Sequence, residues 1–274
     1  MTPATFNEDD RFPSYTGAVN RFGSWTRAKE LAGVGETQTV ECKGCGERFA
    51  HIGKHWNNSS CRWPALSSTQ LELLTGVLMG DGTLLRDGTN CCIGIEMANR
   101  EYLEWLDQRL QPFSTGVKLK HSSSEQLERA KEAPLDPIRN STVLKPSYLL
   151  LTRRSPQLNR FRGWYDTYQK RYPSNLSLTP AIFQQWYCGD GTLNIRAKAA
   201  NPHATITCKN EQDRAEFITS LFQEVGFEPT HRNGRFVFDV EDTSELLEWA
   251  GRAPPGFEYK WADTYKAYTE LKPP

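Results

Sequence analysis

The chain has 274 residues, of which 38% are hydrophobic and 11% aromatic, and its 33 basic residues balance its 33 acidic residues. This length allows a sizeable core and predicts one large or two modest domains. No apolar run reaches the roughly 18 residues of a membrane span, and the N-terminus lacks the pattern of a secretory signal, so we expect an intracellular protein with no membrane partner. The seven cysteines are an odd number and include the adjacent pair Cys91 and Cys92, which favours thiols or metal ligands over disulfides.

The first predicted segment, residues 1–38, has apolar residues at helical spacing on both sides of a Gly-Ser break. This pattern predicts two short helices that pack through Phe22, Trp25, Ala28 and Leu31. Three basic residues are then available to face phosphate: Arg21, Arg27 and Lys29.

The second segment, residues 39–66, is too short for a hydrophobic core of its own. It contains four residues with the types and spacing of a structural zinc site: Cys42, Cys45, His55 and Cys61. His51 is a competing ligand, and the alternative is a loop of unlinked thiols. For Cys91, Cys92, Cys188 and Cys208 we expect small buried thiols instead.

An internal repeat occupies the remaining chain, with LTGVLMGDGTL beginning at Leu74 and FQQWYCGDGTL at Phe183. Each copy predicts a helix that stops at Asp-Gly. We expect a capping box from Thr69 and Glu72 at the start of the first helix, and Thr179 as N-cap with Pro180 at the first position of the second. The apolar patterns that follow predict the same order in both halves, 67–172 and 173–274: helix, two strands, helix, two strands, helix. The predicted class is therefore α+β with two αββαββα repeats, the first of which carries a longer insert.

A single Asp-Gly after a helix is most simply a stop and turn. Two copies in equivalent places are more informative, because a pseudo-symmetric chain can bring both helix ends together at its axis. Asp81 and Asp190 would then lie close enough to need a cation, and magnesium prefers such carboxylate oxygens. Gly76 and Gly80 leave one face of the first helix bare for a close helix contact.

These two stretches resemble the signature helices of the LAGLIDADG homing endonucleases in their single-chain, two-motif form. The resemblance covers about residues 67–274, and residues 1–38 resemble a short helical repeat that is often attached to such enzymes. It implies that two antiparallel sheets form a saddle on duplex DNA and that Asp81 and Asp190 bind two or more magnesium ions with the carbonyls of Gly80 and Gly189. No protein nucleophile is then required. Basic residues that could stabilise charge at the edge of such a site are Lys120, Lys145, Arg232 and Arg235, and the alternative for each is a phosphate contact from the sheet face.

The stretch between the two halves is locally basic in an otherwise neutral chain, and it is the natural candidate for further phosphate contacts. The residues we expect to bind DNA there are Arg153, Arg154, Arg160, Arg162, Lys170 and Arg171. The second motif departs from the family pattern at Gln184 and Gln185, where small residues are usual, so these amides either loosen the helix contact or line it with hydrogen bonds.

We therefore expect a monomeric, site-specific double-stranded DNA endonuclease with a long asymmetric target, magnesium in the active site and structural zinc. Its expected location is the cytoplasm, at the nucleoid, in a prokaryotic or viral host. One rival is a nucleic-acid-binding protein without cleavage on the same fold, either an intron maturase or a regulator. Another is a structural zinc-bearing module that binds a partner protein.

Overall fold

The structure, a computed structural model, describes residues 15–24, 27–28, 39–86, 88–132, 145–166, 169–196 and 199–261. It divides into two compact units, residues 1–63 and 64–274. Within the described ranges, no helix combines the length and the apolar character that crossing a membrane would require. The finer division of the sequence into four segments stays a prediction.

The first unit contains a short helix, a small hairpin and a second helix. Helix α1 spans Tyr15–Phe22, strands β1 (Val40–Glu41) and β2 (Arg48–Phe49) pair antiparallel, and α2 spans Ile52–Asn58. Of the second helix predicted near the N-terminus, Ala28 is buried, whereas Trp25 and Leu31 lie outside the described residues.

The hairpin and α2 share a very small core. Ile52, Trp56 and Cys42 are buried, and four partly buried side chains pack around them: Val40, Phe49, Cys61 and Trp63. So few apolar groups contribute little hydrophobic stabilisation, which fits the expectation that this segment needs a metal ion to fold.

The second unit consists of two similar halves. The first half contains α3 (Ser68–Met79), β3 (Thr83–Leu85), β4 (Cys92–Met97), α4 (Arg100–Leu110), β5 (Ser114–His121), α5 (Ser123–Glu132), β6 (Ser147–Thr152) and a 3-10 helix, Pro156–Trp164. Two short paired strands follow it, β7 (Tyr165–Asp166) and β8 (Gln169–Lys170).

Over its described residues, the second half has the same order of helices and sheet strands, without a counterpart of α5 or of the β7–β8 pair. It contains α6 (Pro180–Asp190), β9 (Gly191–Arg196), β10 (Ala199–Thr207), a 3-10 turn (Lys209–Arg214), α7 (Ala215–Gln223), β11 (Thr230–Arg232), β12 (Arg235–Val237), α8 (Val240–Ala250) and a last 3-10 turn, Glu258–Lys260. Each half has one four-stranded antiparallel sheet, ordered β3-β4-β6-β5 and β9-β10-β12-β11. The predicted α+β class and the duplication are confirmed.

Three local predictions differ from the structure. The capping box of α3 is formed by Ser67 and Gln70, two residues earlier than expected, because Ser67 Oγ and Gln70 Oε1 accept from each other's backbone N–H. The closing helix of the first half is the 3-10 helix before β7. The insert forms a helix of its own, α5, where the sequence predicted no element. For the second motif helix, Thr179 is the N-cap and Pro180 is the first helical residue, as predicted.

Helices α3 and α6 pack against each other between the two sheets. The contact is close at Gly76, where an added Cβ would overlap the carbonyl oxygen of Ile182 and lie 2.7 Å from Gln185 Cβ. A side chain at Gly76 would therefore push the helices apart. The outer side of α6 is anchored by a buried aromatic cluster: Phe183, Trp186, Phe222, Phe236 and Phe238.

Candidate active site and metal centres

The two motif helices meet at their C-terminal ends through glycine. A Cβ on Gly80 would lie 3.3 Å from Gly189 Cα, and a Cβ on Gly189 would lie 2.9 Å from the backbone nitrogen of Asp81. The chain therefore crosses itself in backbone contact immediately before each aspartate. The predicted convergence of the two Asp-Gly ends is present.

The second glycine of each motif has a separate steric role. The N–H of Gly82 bonds to the carbonyl of Val77, and a Cβ on Gly82 would lie 2.6 Å from that carbonyl oxygen. A Cβ on Gly191 would overlap Tyr187 in the same way. In both motifs the backbone thus folds back tightly over the last turn of the preceding helix, so the aspartate between the two glycines stays at the helix end.

Two cavities flank the contact, and each combines residues from both motifs. A cavity of about 610 Å³ is lined by Asp81 together with Gly189 and Lys260. A second cavity, of about 320 Å³, is lined by Asp190 together with Gly80 and Lys170. Each cavity thus contains the aspartate of one motif, a glycine of the other motif and a lysine that lies against a motif helix.

Both lysines bind helix C-terminal carbonyl groups. Lys170 Nζ donates to Gly80 O at 2.6 Å, and Lys260 Nζ donates to Cys188 O at 2.7 Å and Tyr187 O at 3.3 Å. Burial lowers the pKa of both ammonium groups, and the two aspartates oppose that shift. The lysines donate to carbonyls at the C-terminal ends of the motif helices and place positive charge at the negative end of the helix dipole.

The carboxylates differ in exposure. Asp81 is exposed, whereas burial and the nearby Asp81 charge raise the pKa of Asp190 to about 6, against the opposing effect of Lys170 and Lys260. A divalent cation would offset both causes of this shift. The donor set of two carboxylates and two glycine carbonyls consists of hard oxygen atoms, which fits magnesium.

Gln184 and Gln185, where the second motif departs from the family pattern, form a hydrogen-bonded contact. The buried Gln185 accepts from Tyr102 Oη at 2.6 Å and donates to Gln184 Oε1 at 2.9 Å. Gln184 donates onward to the backbone carbonyls of Ala250 and Arg252. The amides therefore tie α6 to α4 and to the end of α8 without leaving their own polar groups unpaired.

The four basic residues predicted to assist catalysis are dispersed. Lys145 lines the cavity that contains Asp81. Lys120 forms an ion pair with Glu96, while Arg232 and Arg235 face each other on β11 and β12 at the far edge of the second sheet. The sequence patterns predict Lys170 only as a DNA contact and do not predict Lys260. Both lysines lie near aromatic residues in the sequence, in QKRY and EYKW, but so short a pattern does not mark a site.

Most of the residues predicted to bind DNA also hold the protein together. Arg153 donates to Pro112 O, Arg154 donates to Asn90 O, and Arg162 donates to Gly88 O and Thr89 O.

Arg171 forms two hydrogen bonds with Asp213 and one with Asn210 O. Arg160 is exposed. DNA contact stays a prediction for the whole set.

In the first unit, the predicted zinc ligands form one cluster. Ligand atoms of Cys42, Cys45, His55 and Cys61 all lie within 4.8 Å of one another, and Cys45 Sγ is 3.6 Å from His55 Nε2. Bonds of about 2.0–2.3 Å from one zinc ion can reach such a set with little adjustment. His51, the competing ligand, is exposed and is not part of this cluster.

The environment of the cluster favours metal binding. Although burial opposes it, backbone hydrogen bonds from Gly44 and Cys45 hold the pKa of the Cys42 thiol at about 6. The Phe49 ring stacks on His55 at 3.9 Å between centroids, which fixes the imidazole plane. The Cys3His donor set fits a structural zinc ion. The remaining cysteines, Cys91, Cys92, Cys188 and Cys208, are all buried and form no disulfide, as predicted.

Comparison with known sequences points to one family. A sequence model described as the LAGLIDADG DNA endonuclease family matches residues 71–238, more than half of the chain. A curated relative, the uncharacterized protein MJ1098 of Methanocaldococcus jannaschii, is 28% identical over 129 residues, which are 47% of this chain and 45% of the relative. This chain thus spans less than half of that relative's length.

Comparison with solved structures shows the fold. The homing endonuclease I-WcaI bound to its DNA recognition sequence has a TM-score of 0.61 at 14% identity, covering 80% of this chain and 95% of that one. A weaker match is the N-terminal LAGLIDADG domain of DUF199/WhiA, which has a TM-score of 0.41 at 13% identity and covers 74% of this chain and 89% of that one. Another is I-AabMI bound to uncleaved DNA, which has a TM-score of 0.38 at 14% identity and covers 73% of this chain and 90% of that one. The first match supports the duplicated architecture.

Proposed function

We propose that this chain, which belongs to the LAGLIDADG DNA endonuclease family, is a site-specific endonuclease that hydrolyses duplex DNA with divalent metal ions. One observation carries the proposal: the duplicated helices bring Asp81 and Asp190 to a shared backbone contact, each beside a cavity that contains the glycine of the other motif. A stop-and-turn role alone would require neither the close crossing nor the repetition.

Magnesium ions would be held by Asp81 with the Gly189 carbonyl, and by Asp190 with the Gly80 carbonyl. When bound, they supply activation of water and stabilisation of charge that develops at phosphorus. A carbonyl oxygen has two lone pairs, so Gly80 O can accept from Lys170 and still ligate a metal ion.

The chain's own cations complement the scissile phosphates. Lys170 and Lys260 fix positive charge beside the two carboxylates, and Lys145 adds a third cation to the cavity of Asp81. Lys120, Arg232 and Arg235 lie on the sheets, so we propose that they contact the DNA rather than stabilise the charge that develops during cleavage.

The target is a long, asymmetric duplex, because the two sheets that would lie on it carry different side chains. One chain contains both halves of the site, so it acts as a monomer, at the nucleoid of a prokaryotic or viral host. Zinc bound by Cys42, Cys45, His55 and Cys61 stabilises the first unit, which serves as an auxiliary DNA-binding element.

The test is a cleavage selection. The full chain, purified with zinc, is incubated with a randomised duplex library and magnesium, and the cut ends are sequenced. We expect one long site with breaks in both strands, and no cutting by the Asp81→Asn, Asp190→Asn double variant. Sequence-specific binding without cutting would replace the proposal with a regulator or maturase, and no affinity for DNA would favour a protein-binding module.

A further inference from the structure

Because the chain contains its own repeat, the DNA-facing positions of the two sheets can be compared directly. One row of residues in register crosses the first sheet and consists of Glu96, Leu149 and Lys118. The matching row of the second sheet consists of Thr207, Arg235 and Arg232. We call these the first row and the second row.

The two rows occupy equivalent places in the repeat. Glu96 and Thr207 each lie two residues beyond the strand partner of the motif threonine, which is Thr83 in the first half and Thr192 in the second. Differences between the rows are therefore differences at the same depth of the two half-sites.

Both rows lie on the sheet face that does not pack on the helices. Side chains alternate along a strand, and the residues next to the rows are buried: Ile95, Leu150, Ile206 and Phe236. By contrast, Glu96, Lys118, Arg232 and Arg235 are exposed, and Leu149 is half-buried. The open faces are the surfaces that the proposed function places against the major groove.

The second row offers two guanidinium groups. Arg235 and Arg232 are exposed, and in the part of the chain that the structure describes, neither has an acidic partner. A guanidinium fork matches the O6 and N7 acceptors of guanine, the commonest specific contact in the major groove. Thr207 in the same row can donate to or accept from a neighbouring base.

The first row differs at two of its three positions, while Lys118 keeps the positive charge of Arg232. Leu149 replaces Arg235, and the adjacent Leu151 lies on the same open face, one row further along β6. Leucine cannot hydrogen-bond to a base edge, but it packs against the C5-methyl group of thymine. Glu96 replaces Thr207 and is held by Lys120 and by Ser147 Oγ at 2.9 Å. A fixed carboxylate repels the O6 and N7 acceptors of guanine and accepts from the N4 amino group of cytosine.

We infer that the two halves of the target are specified by different base chemistry: guanine contacts from Arg235 and Arg232 over the second sheet, and thymine-methyl contacts from Leu149 and Leu151 over the first. This inference rests on the proposed function, since it requires duplex DNA on both open faces.

The test is a binding selection in zinc-containing buffer without magnesium, so that the duplexes stay intact. Three forms of the full chain are compared: wild type, Arg235→Leu and Leu149→Arg. Each substitution gives one row the residue of the other at an accessible position. Arg252→Leu, at an exposed arginine outside the sheets, is the matched control.

The wild-type site should have conserved guanines over Arg235 and Arg232 in one half and conserved thymines over Leu149 and Leu151 in the other. Arg235→Leu should lower the preference for guanine about tenfold in the half-site under the second sheet and leave the half-site under the first sheet unchanged. Leu149→Arg should raise the preference for guanine in the half-site under the first sheet. Arg252→Leu should change the base preference of neither half-site.

Two failures are distinguishable. If no sequence is enriched by any form, duplex recognition fails and the proposed function fails with it. If a specific site is enriched but Arg235→Leu and Leu149→Arg leave its base preferences unchanged, or if both halves show the same preference, the endonuclease proposal stands and this inference is wrong.

Discussion

Single residues set how closely the two motif helices approach, and Gly76 is the tightest of them. Its replacement by alanine would overlap the carbonyl of Ile182, so the helices must separate. We expect a loss of about 1–3 kcal/mol in the free energy of unfolding, measured in urea. Gly163→Ala is the control, because an added Cβ there meets nothing within 4 Å. Equal stability of both variants would contradict the close contact.

A second residue-scale prediction concerns Tyr102, whose hydroxyl is the donor to the buried Gln185. Tyr102→Phe leaves that amide oxygen without a partner, and we expect the free energy of unfolding to fall by about 1–3 kcal/mol. Tyr259→Phe, at a ring that is 61% exposed, should change it by less than about 0.5 kcal/mol. If Tyr102→Phe is as stable as the control, Gln185 has found another partner.

Residue-level chemistry was only partly predictable. The repeated motif predicts Asp81, Asp190 and the glycines beside them, because each copy places Gly-Asp-Gly directly after an apolar helix. Lys260 does not, since its position at the C-terminal carbonyls of α6 depends on how the last 3-10 turn folds back. A lysine far away along the chain carries no local pattern that marks it as part of a site.

At the scale of elements, the zinc cluster of the first unit makes a separate prediction. The purified protein should contain one zinc ion per chain, and Cys61→Ser should lower that content and lose the hairpin and α2. Cys92→Ser, at a buried thiol outside the cluster, should keep the zinc. Metal content by elemental analysis and circular dichroism check both. Full zinc content in Cys61→Ser would contradict the assigned ligand set.

Element boundaries show where sequence patterns lose precision. The apolar periodicity predicts α3 and α6 correctly, because each buries a long apolar face. Near the start of α3, Ser67 and Thr69 compete as caps, and the tertiary contacts of Gln70 with the carbonyls of Arg109 and Gln111 favour Ser67. No local pattern contains those contacts.

At the scale of the whole molecule, zero net charge does not exclude strong electrostatic binding, because the basic residues are concentrated locally. We expect the affinity for the selected duplex to fall steeply with salt. Arg160→Gln should reduce the slope of log affinity against log salt by about one, since Arg160 is exposed in the basic stretch. Arg252→Gln should leave the slope unchanged. A slope near zero for the wild type would contradict phosphate contact.

The central claim is that one metal-dependent site uses a carboxylate from each motif helix. The most direct measurement is strand-resolved cleavage of the selected duplex, in magnesium, by Asp81→Asn and Asp190→Asn separately. Glu101→Gln, at an exposed carboxylate that lines the same cavity as Asp81, is the control. We predict that either aspartate variant loses cutting of at least one strand by more than a hundredfold, while the control cuts both strands. Undiminished cutting of both strands by either aspartate variant would contradict the account.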